Sequence, residues 1–247
     1  MSSDSQLTLA DCPAFILVGG FGTRLRSVYD EGPKAMAPIN GLPFLGYLLK
    51  FLALCGIREV VLCTGYKAEL IQQWLGDGTA FGLSVFYSQE TEPLGTAGAF
   101  RLAYSRHGLN RRFLAMNGDS ILQLNLQAMY SGHIAAGCVA TMALVSVPDT
   151  SRYGTVEVDN TGLVQSFREK GGVHAAGYIN GGVYLFEPAT MDLVPPRRAV
   201  SLERETLPAL AAQGLRAFRS DGYFIDIGVP DDFARAQTEL KGLGYWP

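Results

Sequence analysis

The sequence predicts an α/β fold, a mostly parallel sheet flanked by helices, with a smaller substrate-binding portion built onto its second half. Three observations carry this. Short apolar runs alternate with longer segments whose apolar residues recur at helical spacing, the pattern of consecutive βαβ units. The chain has 247 residues, 48% of them hydrophobic, which suffices for one full core and is too few for several large domains. Past about residue 140 the alternation gives way to hairpin chemistry. One domain, 1–247, is therefore expected, with a first half at about 12–140 and a second at about 141–247.

The elements follow in order. Ala14 to Val18 is an apolar run that stops at Gly19-Gly20, too short for a helix and suited to a buried strand. Phe44, Leu45, Leu48, Leu49 and Leu52 recur at helical spacing, and Gly56 follows as a stop. Val60 to Cys63 reads as a second buried strand, residues 68–75 as a helix and 83–87 as a strand. Residues 96–106 read as a helix, and Phe113 to Met116 as a strand running into Asn117-Gly118-Asp119. Parallel strands joined in this way have helices on both faces. In the second half, residues 155–159 and 163–167 flank Asn160-Thr161-Gly162, which is hairpin turn chemistry. A strand over 178–186, a helix over 202–213, a strand over 223–227 and a helix from Pro230 to about Leu240 complete the reading.

Composition excludes several classes of function. A net charge of −3 argues against a protein that neutralises many nucleic-acid phosphates. No stretch approaches the roughly 20 apolar residues that span a bilayer, and the first ten residues carry no basic-then-apolar leader. Cys12, Cys55, Cys63 and Cys138 form no C-x-x-C pair, so neither a zinc site nor a disulfide framework is expected. A cytoplasmic protein is expected, with no nucleic-acid or membrane partner. Oligomeric state is open, and a homo-oligomer is compatible with everything above.

Chemistry is concentrated in three places. Gly19-Gly20-Phe21-Gly22-Thr23-Arg24-Leu25 directly follows the first strand. Glycines let backbone N–H groups approach phosphate oxygens, and in open α/β sheets ligands bind beyond the carboxyl ends of strands. Arg24 and Lys34 add cations. The plainer reading is a glycine-rich turn beside two solvated basic residues. The segment lacks the terminal G-K-[ST] of a Walker loop and does not fit G-x-G-x-x-G. Asp119 and Asp226 each end a strand-like run. Either alone is a turn residue, but together, beside a phosphate loop, they suit magnesium, which needs only one or two carboxylates. Glu169-Lys170 and Asn180-Gly181-Gly182 could hold a phosphorylated sugar, although in isolation Glu169-Lys170 is a solvated charge pair.

These segments, with Pro33-Lys34, Glu92-Pro93-Leu94-Gly95-Thr96-Ala97-Gly98-Ala99, Arg152-Tyr153-Gly154 and Asp226-Ile227-Gly228, resemble in order the sugar-phosphate nucleotidyltransferase family. The resemblance covers nearly the whole chain, and the joint pattern is specific although each piece is weak. It implies a Rossmann-like, GT-A-like nucleotidyltransferase fold with a nucleotide-binding first half and a sugar-phosphate-binding second half. It implies that Leu17, Gly19, Gln89 and Gly95 hold the nucleoside base. Gly20, Gly22, Thr23 and Arg24 would hold the triphosphate, and Lys34 would face the reacting phosphates. Thr96 and Gly118 belong to the same nucleotide set. Asp119 and Asp226 would ligate Mg2+, Lys170 would bind the sugar phosphate, and Gly154, Glu169 and Asn180 the sugar ring, with Asn117, Tyr153 and Gly181 beside them. Many relatives carry Gly-Thr-Pro after the second metal Asp, where this chain has Gly228-Val229-Pro230, one hydroxyl fewer.

The runs 152–158, 179–182 and 223–230 resemble one branch, the D-glycero-α-D-manno-heptose 1-phosphate guanylyltransferases. That implies GTP and a heptose 1-phosphate as substrates. Guanine presents N–H donors on its pairing edge, and Glu92 is an acceptor that could read them, its simpler role being to shape the loop before Pro93. Alternatives are mannose 1-phosphate with GTP, UTP or dTTP with a hexose phosphate, a glycosyltransferase on a related sheet, and a non-catalytic sugar-nucleotide sensor. A sensor would be expected to have lost Lys34, Asp119 or Asp226, and all three are present.

Overall fold

The computed structural model describes residues 8–20, 22–107, 110–168 and 175–242. The first half contains β1 (Ala14–Leu17), the two-residue strands β2 (Pro38–Ile39) and β3 (Leu42–Pro43), α1 (Phe44–Leu54), β4 (Glu59–Thr64) and α2 (Ala68–Leu75). It continues with β5 (Ser84–Gln89), α3 (Gly95–Arg106), β6 (Phe113–Asn117), β7 (Ser120–Leu122) and α4 (Leu126–Ala136). The second half has β8 (Ala140–Val147), the hairpin β9 (Thr155–Val158) and β10 (Val164–Arg168), β11 (Gly177–Phe186) and α5 (Leu207–Ala211). It ends with β12 (Arg216–Ser220), β13 (Phe224–Asp226) and α6 (Pro230–Glu239).

One sheet runs through both halves. Strands β6, β1, β4 and β5 lie side by side and parallel. The long strand β11 then adds antiparallel to β6, and along its other edge it pairs with β8, which in turn pairs parallel with β12. Near its start, β11 also meets the β9–β10 hairpin through Ile179 and Thr155. The parallel block of the first half is thus extended by the antiparallel strand of the second.

Strand alternation explains the layering, because successive side chains point to opposite faces. Ala14 and Ile16, with Val60 and Leu62, pack on the face covered by α1, α2 and α4. Phe15, Val61 and Cys63 point the other way, onto Ala97, Phe100 and Ala103 of α3 and Leu207 and Leu210 of α5. Both faces are covered, so the strands read as continuous apolar runs and not as alternation. Helix α4 begins at Asn125, whose side chain accepts from the Ala128 N–H at 2.9 Å, and ends at Gly137 in the left-handed region. Among the described residues no helix is long and apolar enough to cross a membrane, and all four cysteines are free.

Several elements differ from the sequence expectation, the short strands β2, β3 and β7 among them. The segment expected as one helix over 202–213 is a π-helical turn at Leu202–Thr206 followed by α5, with Pro208 at the start of the α-helical part. Proline lacks the N–H that a helix interior needs and is tolerated only in a first turn. The strand β8 and the polar strand β12, between them the far edge of the sheet, were not anticipated.

Candidate active site

The parallel register brings the strand ends into one row. Leu17 pairs with Asn117 on one side and Cys63 on the other, and Cys63 pairs with Ser88. The chain leaves this row at four neighbouring points: into Gly118-Asp119 after β6, Val18-Gly19-Gly20 after β1, Gly65 after β4 and Glu90 after β5. A cavity of about 460 Å³ lies over it, within the usual range for a small-molecule site.

At one end of the row stand two carboxylates and a lysine. Asp119 precedes β7, and β7 pairs antiparallel with β13 so that Asp226 lies opposite Ser120. The Ile227 N–H donates to the Asp119 carbonyl at 3.0 Å and fixes the ribbon's end. This ribbon, and no feature of spacing, brings the two aspartates together. Between them sits the Lys34 ammonium, presented by the short 3-10 turn after Pro33, donating to Asp119 Oδ2 at 2.7 Å and Asp226 Oδ1 at 3.3 Å. The lysine side chain is only 10% exposed, against 40% for Asp119 and 30% for Asp226, so the carboxylates keep an open side. Burial, and then the neighbouring Asp119 charge, hold the Asp226 carboxyl above the usual carboxylate range, while Lys34 pulls it back down. Among the described residues no group of three or more His, Cys, Asp or Glu gathers. Two carboxylates with a free side suit magnesium, which completes an octahedral shell from substrate phosphates and waters. They do not suit zinc, which prefers four nitrogen or sulfur ligands.

Gly118 makes this end possible. A Cβ on it would lie 2.3 Å from the Leu17 carbonyl oxygen, so only glycine lets the chain turn from β6 into Asp119 beside β1. In the middle of the row, Gly19, Gly20, Gly22, Thr23 and Arg24 line the cavity, with Thr23 and Arg24 on a 3-10 turn. Arg24 is exposed, and no hydrogen bond or ion pair engages it among the described residues. At the far end the wall is formed by Glu90, Pro93, Gly95, Thr96 and Ala99, around the N-terminus of α3. Gly95 has φ +70°, and a Cβ there would meet the Val200 carbonyl at 2.5 Å, so the segment ending at Val200 closes against the helix start.

Of the residues expected to hold the nucleotide or metal, Leu17, Gly19, Gly20, Gly22, Thr23, Arg24, Lys34, Gly95, Thr96, Gly118 and Asp119 line the cavity, as does Asn117. Asp226 touches it through Lys34, and the Gly228 N–H donates to Asp226 Oδ1 at 2.7 Å. Gln89 and Glu92 are exposed and outside the cavity wall. The Gln89 carbonyl is occupied by Arg106 Nη1 at 2.6 Å. Tyr153 lies across β13, its ring 6.1 Å from Phe224, and its neighbour Arg152 pairs with the buried Asp232. Asn180 and Gly181 occupy an irregularity in the β11–β8 pairing, where the Asn180 amide donates to the Tyr184 hydroxyl at 2.7 Å and its carbonyl accepts from the Gly182 N–H. Gly154 precedes β9. Glu169 and Lys170 lie outside the described residues.

Two acidic wall residues were not anticipated. Glu90 directly follows β5, and one of its oxygens accepts the Leu94 N–H at 3.0 Å. Glu203 comes from the π-helical turn of the second half and accepts from Thr96 Oγ1 at 2.9 Å and Ser201 Oγ at 3.1 Å. An acidic residue one position past the Gln89 strand end was visible in the sequence. Nothing there showed that residue 203 would reach the cavity.

Residues 13–242 match the model of the nucleotidyl transferase family. A D-glycero-alpha-D-manno-heptose 1-phosphate guanylyltransferase of Aneurinibacillus thermoaerophilus is 43% identical over 92% of this chain and 98% of that protein. A mannose-1-phosphate guanylyltransferase of Mycobacterium tuberculosis is 38% identical over 95% of this chain and 66% of that protein. Among solved structures, HddC from Yersinia pseudotuberculosis complexed with GMP-PN superimposes with a TM-score of 0.83 at 32% identity, covering 93% of this chain and 99% of that one. The fold, the row of strand ends and these likenesses agree: the chain belongs to the nucleotidyl transferase family.

Proposed function

We propose that the chain is a guanylyltransferase that transfers GMP from GTP to D-glycero-α-D-manno-heptose 1-phosphate, forming the GDP-heptose and pyrophosphate. The observation that carries this is the end-to-end match, 43% identity over 98% of a protein named for that reaction. A mannose 1-phosphate substrate is the second reading, supported by a relative at 38% identity. This chain spans only 66% of that longer protein, which favours the heptose.

The reaction needs no covalent intermediate and no general base. A phosphate monoester dianion is already a nucleophile. One of its oxygens forms a bond to the α-phosphorus of GTP while the bond from that phosphorus to the β-bridging oxygen breaks, and pyrophosphate leaves with the electron pair. The protein's task is to align two anions and to spread their charge. Arg24, exposed at the cavity mouth, is suited to the leaving pyrophosphate. Lys34, already held between two carboxylates, can face the α-phosphate without a large movement. Mg2+ held by Asp119 and Asp226 would supply further charge neutralisation at the α-phosphate. Leu17, Gly19, Gln89, Gly95 and Thr96 form the nucleoside side of this reading. Asn117, Tyr153, Gly154, Glu169, Lys170, Asn180 and Gly181 form the sugar-phosphate side.

The test is a matrix of GTP, ATP, UTP, CTP and dTTP against heptose, mannose and glucose 1-phosphates, with pyrophosphate as readout. Highest kcat/KM for GTP with the heptose is expected. Preference for mannose 1-phosphate would overturn the sugar, and preference for UTP or dTTP would overturn the base.

A further inference from the structure

Strand alternation decides which residues of the second half share a face with the cavity. Cys63 and Ala99 line the cavity and belong to the apolar cluster on the α3 side of the sheet, and Leu17 packs against that cluster. In the second half the same face carries Leu144 of β8, Tyr178 and Tyr184 of β11 and Ala217 of β12, while Val145, Ile179 and Phe218 point to the other. The register sets Asn180 on one side of Leu144 and Arg219 on the other, so these three share the cavity's face in one row across β11, β8 and β12. Strand β11 runs antiparallel to β6 with Val183 opposite Met116, so residues 177–180 continue past the end of β6, where the chain turns into Asp119. The row therefore leads away from the metal carboxylates along the sugar-phosphate side of the site.

Arg219 and Asn180 start roughly 10 Å apart, two strand spacings. The arginine leans back across β8 to close that distance, its guanidinium carbon 5.0 Å from the centre of the Tyr178 ring. Stacking on the ring fixes the plane of the guanidinium and leaves the N–H donors along its edge free. Arg111, Arg112, Arg152, Arg198 and Arg235 each pair with a carboxylate. Arg219 is exposed, and among the described residues no hydrogen bond or ion pair engages it or the Tyr178 hydroxyl. A held, unspent fork of donors thus stands just beyond Asn180.

In the reading above, the anomeric phosphate of the sugar meets GTP beside Lys34 and the two aspartates, and Asn180 faces the ring. What continues from the ring away from the phosphate is the side chain at C5. In mannose this is a hydroxymethyl group. In the heptose it is a vicinal diol, one carbon and one hydroxyl longer. A planar fork of donors matches two neighbouring hydroxyl oxygens, and the shorter side chain of mannose offers only one. We propose that Arg219, held against Tyr178, selects the heptose by donating to the C6 and C7 hydroxyl oxygens of its side chain. The proposal rests on the heptose guanylyltransferase reading above.

The experiment compares D-glycero-α-D-manno-heptose 1-phosphate with mannose 1-phosphate, at saturating GTP, in the wild-type enzyme and in Arg219→Ala, Arg219→Lys and Arg216→Ala. Hydrogen bonds from a charged donor carry discrimination of roughly 10- to 100-fold, so the wild type should favour the heptose by about that factor in kcat/KM. Arg219→Ala should lose that factor for the heptose, chiefly through KM, and keep the mannose constants within roughly 3-fold. Its Tm and its KM for GTP should match the wild type, because the side chain is exposed and lies away from the nucleotide. Arg219→Lys keeps the charge without the fork and should give an intermediate ratio. Arg216 stands on the same strand with its side chain on the opposite face, and Arg216→Ala should keep the wild-type ratio. An unchanged heptose-to-mannose ratio in Arg219→Ala, or an equal fall for both sugars, overturns the assignment of Arg219 and leaves the heptose reading standing. A wild-type enzyme that prefers mannose 1-phosphate overturns the heptose reading and this inference with it.

Discussion

At the scale of single residues, the site is an electrostatic balance of two carboxylates around one ammonium. Asp226 is held above its usual carboxylate range by burial and by Asp119, so its charge is tolerated for function at some cost to folding. Asp119→Asn and Asp226→Asn should each lower turnover by orders of magnitude, because a neutral amide is a much weaker magnesium ligand than a carboxylate. The same changes relieve like-charge repulsion, so the thermal transition should stay or rise slightly. Calorimetry beside steady-state kinetics checks both, and near-normal turnover in both variants would remove the pair from the metal site. Arg24 and Lys170 are expected to divide the two substrates. Arg24→Ala should raise KM for the NTP and lower kcat, whereas Lys170→Ala should act chiefly on KM for the sugar phosphate. Unaltered sugar-phosphate kinetics in Lys170→Ala would contradict that division.

At the scale of elements, the site depends on where strands end and what the chain does next. Among the glycines that line the cavity Gly118 is the tightest, with the Leu17 carbonyl 2.3 Å from where a Cβ would be. Gly118→Ala must push β6 away from β1 or distort the turn, with an expected loss of roughly 1–3 kcal/mol of stability. Because Asp119 is the next residue, turnover should fall further than stability alone predicts. Denaturant melts and kcat of the same preparation separate the two effects. The sequence showed this element well: the apolar run 113–116 ending in Asn117-Gly118-Asp119 is β6 with its turn, and the segment 68–75 is α2 to the residue. It showed others poorly for definite reasons. In β8, Ala140 to Val145 are buried in succession, and such a short run has no period to distinguish strand from helix. Strand β12, Arg216–Ser220, is too polar to stand out. The pairing of Asp119 with Asp226 was expected from magnesium chemistry beside a glycine loop and from resemblance, and not from any local pattern, since it depends on pairing between two three-residue strands far apart in the chain. The acidic wall residues Glu90 and Glu203 reach the cavity through loop paths that local pattern does not encode.

At the scale of the whole molecule, stability and chemistry occupy opposite ends of the same strands. Phe113 starts β6 away from the cavity, fully buried, with ring centroids 4.6 Å from Phe15, 5.4 Å from Tyr104 and 5.7 Å from Phe186. Phe113→Ala should cost roughly 3–5 kcal/mol, lowering Tm by about 10 °C for a chain of this size. Kinetic constants of the folded fraction at low temperature should hardly change. A large loss of kcat without a fall in Tm would contradict this separation. The antiparallel strand β11 joins the parallel block to the second half, so the surfaces proposed for nucleotide and sugar phosphate share one sheet. That arrangement suits direct transfer between two aligned anions. The most direct test of that transfer is a product assay with GTP, D-glycero-α-D-manno-heptose 1-phosphate and Mg2+, following pyrophosphate and identifying the sugar nucleotide by mass. The account predicts pyrophosphate and GDP-heptose in equal amounts, with kcat/KM for GTP above that for UTP or dTTP by roughly 10²-fold or more. Failure to release pyrophosphate with any NTP and sugar 1-phosphate, or a clear preference for UTP or dTTP, would contradict it.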